Sequence, residues 1–485
     1  MKTQRVGTQR VRTRRVGVRA ALGRGGRGLG RGLTAAVGAT VGAAVFTAAA
    51  LPGTAWAAGE SPYGFDGGAQ EIKGAATSLD AQQLKAGQSY RDTIKKDGKL
   101  YYRVDLDDKK NAYVSVVAVP KSGGKAEYGD GIKVTLQDGS GAQCGYQDSS
   151  FESATFTRPL TAYAHRTIEA DSSTCQQAGA YYVLVERTSK AVSTPDDWEL
   201  EIRYLPEPGV KQTGPTELPE NWPSTAPPPP TGGPQKRQGG AGFHDATSLR
   251  QGEWRADIKP GQTLFYRVPV DWGQQVFASA ELGSSATGAT GYVPNALVLS
   301  LDNPARGHVD QDTVSYDGKP ATLALDAHRP VAFENRYSSN SYTNALRFAG
   351  WYYLTATLSP EIVKEYGDKP VPLTLRVNVT GTAKAGPAYD GDAGPFKVTA
   401  DDRDAAASGA SGAEAQKKDG MVLVAAAGIG AGTVLLVGLG VWTLAGRRRA
   451  ARDAAGQGGS QGGPPAGPQG GPQGGPPQFG PPTAW

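Results

Sequence analysis

The chain of 485 residues carries 51 Lys and Arg against 46 Asp and Glu, which gives a formal net charge of +5. Ten of the basic residues and no acidic residue lie in 1–32, and four arginines follow residue 445. The segment 58–445 therefore has 37 basic and 45 acidic residues. Its net charge of −8 means that the basic pI of the whole chain is no argument for nucleic-acid binding.

The N-terminus has the pattern of a signal peptide. Its basic residues precede a weakly apolar run, Leu33–Leu51, and Ala55 and Ala57 place small residues at the two positions that a signal peptidase reads. We expect residues 1–57 to be removed after general export and the Gly-rich residues 58–70 to be flexible. The alternative is that Leu33–Leu51 stays in place as a first membrane anchor.

An internal repeat follows in the exported part. Five blocks recur later in the chain in the same order: 76–79, 90–95, 100–104, 132–136 and 178–182 return as 246–249, 254–259, 264–268, 297–301 and 349–353. Such ordered self-similarity is the mark of a duplicated structural unit. We predict two copies of one domain of about 140 residues, at 71–205 and 241–382.

The repeated blocks have the pattern of β-strands. Residues 198–204 and 373–379 alternate apolar and polar, which predicts strands with one face on a core and one face in water. Residues 113–119 are more uniformly apolar and suit a central strand. Because 70–385 shows no helical period, we predict an all-β fold of two tandem antiparallel β-sandwich domains, jelly-roll-like in form.

Low-complexity segments and one long apolar run complete the chain. Residues 206–240 are Pro-rich and predict a semi-rigid linker, and 383–420 predict a second linker. The 25 uncharged residues of 421–445 would rise about 37 Å as a helix, enough to cross a hydrocarbon core of about 30 Å. Three arginines follow this predicted transmembrane helix and favour a cytoplasmic C-terminus, so 446–485 is expected to be a disordered cytoplasmic tail rich in Gly, Pro and Gln.

A pair of glycines lies within the predicted membrane helix. Gly428 and Gly432 form a small-xxx-small pair, which lets two membrane helices approach closely. A weak helix–helix dimer is one expectation, and the ordinary glycine content of such spans is the other explanation.

Both cysteines, Cys144 and Cys175, lie in the exported part. An even number of cysteines outside the cytoplasmic membrane fits a disulfide. The loop of about 30 residues that it closes would stabilise the fold by about 3 kcal/mol in the chain-entropy model.

Catalytic and metal-binding patterns are not evident in the sequence. The four histidines, His165, His244, His308 and His328, are scattered without a metal-ligand spacing, and no Gly-x-Ser-x-Gly motif occurs. We therefore expect no enzyme activity and no cofactor. Calcium is a remaining alternative, because β-sandwich loops supply carboxylates; the candidates are Asp390 with Asp392, and Asp130 with Asp138.

One loop has the composition of a contact surface. Residues 335–344 mix Tyr with Ser and Asn, a chemistry that is typical of adaptable binding loops. We predict Tyr337, Asn340 and Tyr342 as candidate ligand contacts in the second domain. The other interpretation is a long solvated loop without a ligand.

The motif order of the two repeats resembles that of bacterial pre-peptidase C-terminal domains, on Leu100–Val104 with Gly179–Tyr182 and on Leu264–Val268 with Gly350–Tyr353. Those domains are β-sandwich modules appended to secreted proteases and other exported proteins. The layout is also similar to that of a group of actinobacterial membrane-anchored surface proteins, some of which carry a von Willebrand A module. Because this chain lacks a protease or A module, the resemblance implies no activity for it.

These patterns favour a non-enzymatic single-pass protein of the plasma membrane, with its N-terminal domains outside the cell. The expected work of the two domains is binding or adhesion to the cell wall, to a polysaccharide or to a partner envelope protein. The alternative is a protease-related hydrolase outside the membrane, whose site would be built from residues far apart in the sequence.

Overall fold

The structure, a computed structural model, describes residues 63–417 except for 170, 171, 213, 219 and 286, and further along residues 436 and 439–444. The predicted signal peptide, Gly428 and Gly432, most of the predicted membrane helix and the predicted tail therefore lie outside the described residues. Within the described part, no helix is long and apolar enough to cross a membrane. The membrane helix at 421–445 stays a prediction.

The first half of the described chain is a sandwich of two five-stranded sheets. Its strands are β1 (Gln70–Glu71), β2 (Gln82–Gln83), β3 (Ser89–Ile94), β4 (Lys99–Leu106), β5 (Asn111–Val119), β6 (Gly131–Gln137), β7 (Gln143–Ser150), β8 (Leu160–Arg166), β9 (Gly179–Thr188) and β10 (Trp198–Glu207). Sheet I has the order β1-β3-β10-β5-β8, and sheet II has the order β2-β4-β9-β6-β7. The pairing is antiparallel except where the short strands β1 and β2 join β3 and β4.

The second half has the same topology. Its strands are β11 (Gln235–Lys236), β12 (Thr247–Ser248), β13 (Gly252–Ile258), β14 (Thr263–Val270), β15 (Gln275–Leu282), β16 (Val293–Asp302), β17 (His308–Tyr316), β18 (Ala321–Ala324), β19 (Gly350–Leu358) and β20 (Val371–Thr380). Sheet III has the order β11-β13-β20-β15-β18, and sheet IV has the order β12-β14-β19-β16-β17. Each strand of the second sandwich thus occupies the place of the strand ten positions earlier. Four of the five recurring sequence blocks fall on equivalent strands; the first does not, because 76–79 lies at a 3-10 turn and 246–249 contains β12.

The short helices of the second half include α1 (Ser341–Ala345), α2 (Ile362–Tyr366) and α3 (Ala400–Ser408). Single 3-10 turns occur at Ser78–Asp80 and Phe333–Tyr337. The described chain is therefore mostly β, which confirms the predicted all-β class and the two β-sandwiches.

Each sandwich has its own hydrophobic core, because alternate residues of every long strand point inward. In the first sandwich, Tyr102 and Val104 of β4 are fully buried in this core. Their equivalents Tyr266 and Val268 of β14 hold the same places in the second core. The predicted disulfide between Cys144 and Cys175 is confirmed, with the two Cα atoms 5.7 Å apart, and it fastens β7 to the loop before β9.

The two sandwiches stack directly on each other, with the outer face of sheet I against the outer face of sheet IV. We call this contact the seam. Strand β10 shows how it forms: Leu200 and Ile202 point into the first core, while Glu201, Leu205 and Glu207 point into the seam and are buried. The expectation that the polar face of this strand lies in water is therefore wrong. The face is polar because its carboxylates pair with arginines of the second sandwich.

The predicted linkers and the N-terminal segment pack on the sandwiches instead of spacing them. In the segment predicted to be flexible, Tyr63 is buried, and in the second predicted linker Phe396 and Ala406 are buried. The Pro-rich segment 206–240 begins inside β10 and contains β11. A few aromatic and apolar residues are enough to dock these segments on the sandwiches. The overall composition of each segment, rich in Gly, Ala or Pro, does not reveal these few residues.

Candidate functional site

The seam contains two buried ion pairs, both anchored on β10. Arg306 of the β16–β17 turn pairs with Glu201, and both side chains are almost completely buried. The turn is held by Asn303, whose side-chain oxygen accepts hydrogen bonds from the backbone N–H groups of Ala305 and Gly307. Burial lowers the pKa of Arg306, but the charge and hydrogen bond of Glu201 together with Tyr63 and Tyr353 outweigh burial and raise the pKa well above its usual value.

The second ion pair is the centre of a larger polar network. Arg336 pairs with Glu207 at 2.9 Å, again with both side chains buried. Glu207 also accepts hydrogen bonds from Asn111, Tyr113 and Tyr389 at 2.7, 2.9 and 2.7 Å. Burial alone would raise the pKa of Glu207, but Arg336 and these donors outweigh it and hold the pKa below its usual value.

Aromatic rings surround this network. Phe396 stacks on Phe348 with ring centroids 4.6 Å apart, and Tyr113 meets both rings edge-on at 5.7 and 4.8 Å. Beside them lies His165, whose ring is 5.4 Å from that of Tyr163. Burial, together with the nearby charges of Arg347 and Arg336, lowers the pKa of His165 to about 3. The seam therefore joins both sandwiches and the chain after β20 into one packed unit.

This environment of His165 predicts that the protein loses stability in mild acid. His165 stays neutral in the folded protein, whereas the unfolded chain takes up a proton below pH about 6.5. Because the unfolded state then binds more protons, the free energy of unfolding falls with falling pH, by at most about 1.4 kcal/mol per unit. Urea unfolding between about pH 7.5 and 4.5 measures this slope. The slope should become clearly smaller in His165→Gln, and an unchanged slope would contradict the assignment.

The structure places the predicted contact residues of the 335–344 loop on the surface, with different roles. Tyr337 and Tyr342 are 38% and 48% exposed. Asn340 instead caps α1, because its side-chain oxygen accepts a hydrogen bond from the N–H of Thr343 at 3.0 Å. Tyr342 stacks on His328, with ring centroids 6.0 Å apart. A ligand-contacting role for these three residues stays a prediction.

The candidate calcium ligands have other partners. The carboxylate of Asp130 is buried and accepts hydrogen bonds from Glu127, Lys190 and Ser193, while Asp138 accepts bonds within its own turn. In the described part of the chain, no group of three or more His, Cys, Asp or Glu side chains is placed to hold a metal ion.

A row of aromatic and aliphatic side chains crosses the outer face of sheet II. Tyr101 of β4 lies opposite Leu184 of β9, Leu184 lies opposite Thr135 of β6, and Thr135 lies opposite Tyr146 of β7. The row crosses four strands and therefore spans about 14 Å. Tyr182 lies one pair further along β9. We call this surface, defined by Tyr101, Tyr146, Tyr182 and Leu184, the tyrosine face.

Charged side chains border the tyrosine face. Lys99 pairs with Glu186 at 2.6 Å, and Arg103 pairs with Asp105 at 2.8 Å. Tyr146 is 49% exposed, with the Lys133 ammonium 4.5 Å from its ring centroid. An apolar centre with a charged border is the usual composition of a protein contact.

In the second sandwich, the residues equivalent to those of the tyrosine face form a contact between the two sandwiches. The repeated blocks align Tyr101 with Phe265 and Tyr182 with Tyr353. In sheet IV these residues are buried in the seam, where Phe265 packs edge-on against Tyr63 with ring centroids 5.6 Å apart. The signal was present in the sequence, since aromatic residues recur at positions that a strand directs away from its own core.

No protein-family model matches the chain, and no curated protein matches it. Among solved structures, that of Broad Bean Stain Virus (BBSV) is similar at 9% sequence identity, over 66% of this chain and 95% of that chain, with a TM-score of 0.18. The CBM22-1-CBM22-2 tandem domain of Paenibacillus barcinonensis Xyn10C is similar at 10% identity, over 66% of this chain and 100% of that chain, with a TM-score of 0.16. At TM-scores this low, the similarities carry no argument about function.

Proposed function

We propose that the chain is a non-enzymatic, single-pass cell-surface protein whose two sandwiches act outside the membrane as one rigid binding unit. The observation that carries this proposal is the tyrosine face, where Tyr146 is exposed and Tyr101 and Tyr182 are half-buried, on a sheet whose equivalent in the second sandwich is a contact surface. The export signal and the apolar run at 421–445 support the placement at the plasma membrane. We also propose, from the sequence motifs, that the two sandwiches are related to bacterial pre-peptidase C-terminal domains.

The partner that the tyrosine face fits best is the flat face of an envelope protein. Its equivalent in sheet IV packs against the Val117 and Val119 side chains of sheet I, so this geometry suits a protein surface with small branched side chains. Tyrosines are frequent hot spots of protein interfaces, and Tyr101, Tyr146 and Tyr182 all lie on this face. A polysaccharide is the second candidate, because tyrosine rings also stack on sugars.

We expect Tyr101→Glu and Tyr182→Glu to weaken binding to the envelope by about tenfold or more each, because hot-spot tyrosines contribute about 2 kcal/mol. Purified full-length protein is titrated in parallel onto detergent-solubilised envelope protein and onto isolated cell-wall polysaccharide. Tyr292→Glu is the matched control, since Tyr292 is exposed but lies outside the tyrosine face. If Tyr101→Glu and Tyr182→Glu lose binding to the polysaccharide alone, the partner is a glycan and not a protein. If all variants bind equally well, the tyrosine face is not the binding surface.

The rival hypothesis of a hydrolase has a separate test. His328 lies 2.8 Å from Asp310, which is the carboxylate–imidazole arrangement of a general base. In the described residues, no serine or threonine hydroxyl forms a hydrogen bond with that imidazole. Full-length protein is incubated with peptide, ester and glycoside substrates, and His328→Gln is compared with the parent chain. Turnover that this replacement removes would end the proposal of a non-enzymatic protein.

A further inference from the structure

A crevice runs along the seam between the two sandwiches. Each of its two lobes has a cavity volume of about 20 Å³, which holds about one water molecule. The two lobes share lining residues from both sandwiches, among them Arg158 and Phe265. None of the residues that define the tyrosine face lines this crevice.

Arg158 is a buried cation without a counter-charge in direct contact. Its side chain is 95% buried, and its guanidinium donates one hydrogen bond, to the carbonyl oxygen of Ala154 at 2.7 Å. No carboxylate among the described residues forms an ion pair with it. Burial lowers the pKa of Arg158 to about 10, and Glu152 offsets this only in part. The group is therefore charged at neutral pH, with donors that protein acceptors do not use.

Further unused donors line the opposite wall of the crevice. Ser300, Thr355 and Gln311 lie side by side on three adjacent strands of sheet IV, since Ser300 is the cross-strand partner of both others. In the described part of the chain, none of these three side chains has a protein hydrogen-bond partner. Ser149 of the first sandwich adds another such hydroxyl. Arg158, whose guanidinium also lies over the rings of Phe151 and Phe156, lines the same crevice as this row of polar groups, which can all donate hydrogen bonds.

The one carboxylate in the crevice is already engaged. Asp302 is 2% exposed, accepts a hydrogen bond from Thr161 at 2.8 Å, and lies 3.5 Å from His308. A cationic ligand is therefore disfavoured, because Asp302 already has hydrogen-bonding partners and the positive charge of Arg158 lies in the same crevice. An anion finds a free fork of donors and several hydroxyls instead.

We propose that the seam crevice binds a carboxylate group, with the Arg158 guanidinium as the charged anchor and the Ser300, Thr355 and Gln311 side chains as neutral donors. A planar guanidinium matches a carboxylate with two parallel hydrogen bonds, and burial strengthens such a contact. The carboxylate belongs to an acidic sugar or to the C-terminal end of a peptide, because both are common at the cell surface and both carry the same group.

The test is calorimetric titration of the full-length protein at constant ionic strength. Glucuronate is compared with glucose, and N-acetylalanine is compared with its amide, so the two sources of the carboxylate are distinguished. The acid of at least one pair should bind about tenfold or more tightly than its neutral analogue. Arg158→Gln should remove this preference, and Arg158→Lys should retain part of it, since lysine keeps the charge without the fork.

Variants on the opposite wall keep the test valid if Arg158→Gln fails to fold. Ser300→Ala and Gln311→Leu leave the guanidinium in place and should each weaken acid binding by about threefold to tenfold. Tyr292→Phe is the control: it removes an exposed hydroxyl that lies outside the crevice, so affinity should not change. Equal affinity for acids and neutral analogues, or acid binding that none of the Arg158, Ser300 and Gln311 variants alters, would overturn the proposal.

Discussion

Replacing Arg306 with methionine is expected to lower the free energy of unfolding by about 3–5 kcal/mol. The substitution removes the partner of Glu201, which is completely buried in the seam and cannot regain water. Without its counter-charge, a carboxylate in this position keeps only the hydrogen bonds from Tyr63 and the backbone N–H of Asp66, so it must either remain charged at high cost or take up a proton. Urea unfolding at neutral pH, followed by tryptophan fluorescence, measures the loss.

Two further variants separate the cost of an unpaired charge from the value of the pair. Glu201→Leu combined with Arg306→Met should recover most of the loss, because replacing a buried pair by apolar residues is often nearly neutral. Recovery should be incomplete, since Tyr63 and the backbone N–H of Asp66 lose their acceptor. Lys99→Met removes a partner from an exposed pair and should cost less than about 1 kcal/mol. A small effect of Arg306→Met would show that Glu201 is hydrated and that the seam is looser than described.

The class of fold could be predicted from the sequence, because period-two alternation and ordered repeats depend on local geometry. The alternation of β10 assigned Leu200 and Ile202 correctly to a core. The same pattern could not reveal that Glu201 and Glu207 meet arginines in another sandwich, since a polar residue facing water and one facing a distant partner look alike in sequence. The burial of these carboxylates is explained only by their ion pairs with Arg306 and Arg336, which the three-dimensional structure shows.

Candidate surfaces were less accessible to sequence reasoning. The Tyr, Ser and Asn content of residues 335–344 predicted a ligand-binding loop, but in the structure the side chain of Asn340 caps helix α1. The tyrosine face stayed hidden because Tyr101, Tyr146 and Tyr182 lie on three strands that are far apart in the chain. Comparing the two repeats position by position supplies the missing signal, since it places Tyr101 where Phe265 makes a contact in the second copy.

Phe396→Ala is the second replacement with a large expected effect, about 3–5 kcal/mol of lost stability. The ring is completely buried against Phe348 and Tyr113, so its removal leaves a cavity between the two sandwiches. Urea unfolding measures the loss. The adjacent Lys397→Ala is the matched control and should stay within about 1 kcal/mol, because Lys397 is half exposed and forms a surface ion pair.

Limited proteolysis distinguishes a packed segment from a free linker at 383–417. In the parent chain, α3 and the residues around Phe396 should resist cleavage, since Trp351 donates a hydrogen bond to Asp402 at 2.7 Å and fastens the helix to sheet IV. Phe396→Ala should make the segment cleavable while both sandwiches persist. Rapid cleavage of the parent chain would mean that 383–417 is a free linker. In that case, a mechanical force applied through the proposed membrane helix would reach the second sandwich at β20. Resistance would mean that such force enters through the seam and acts on both sandwiches together.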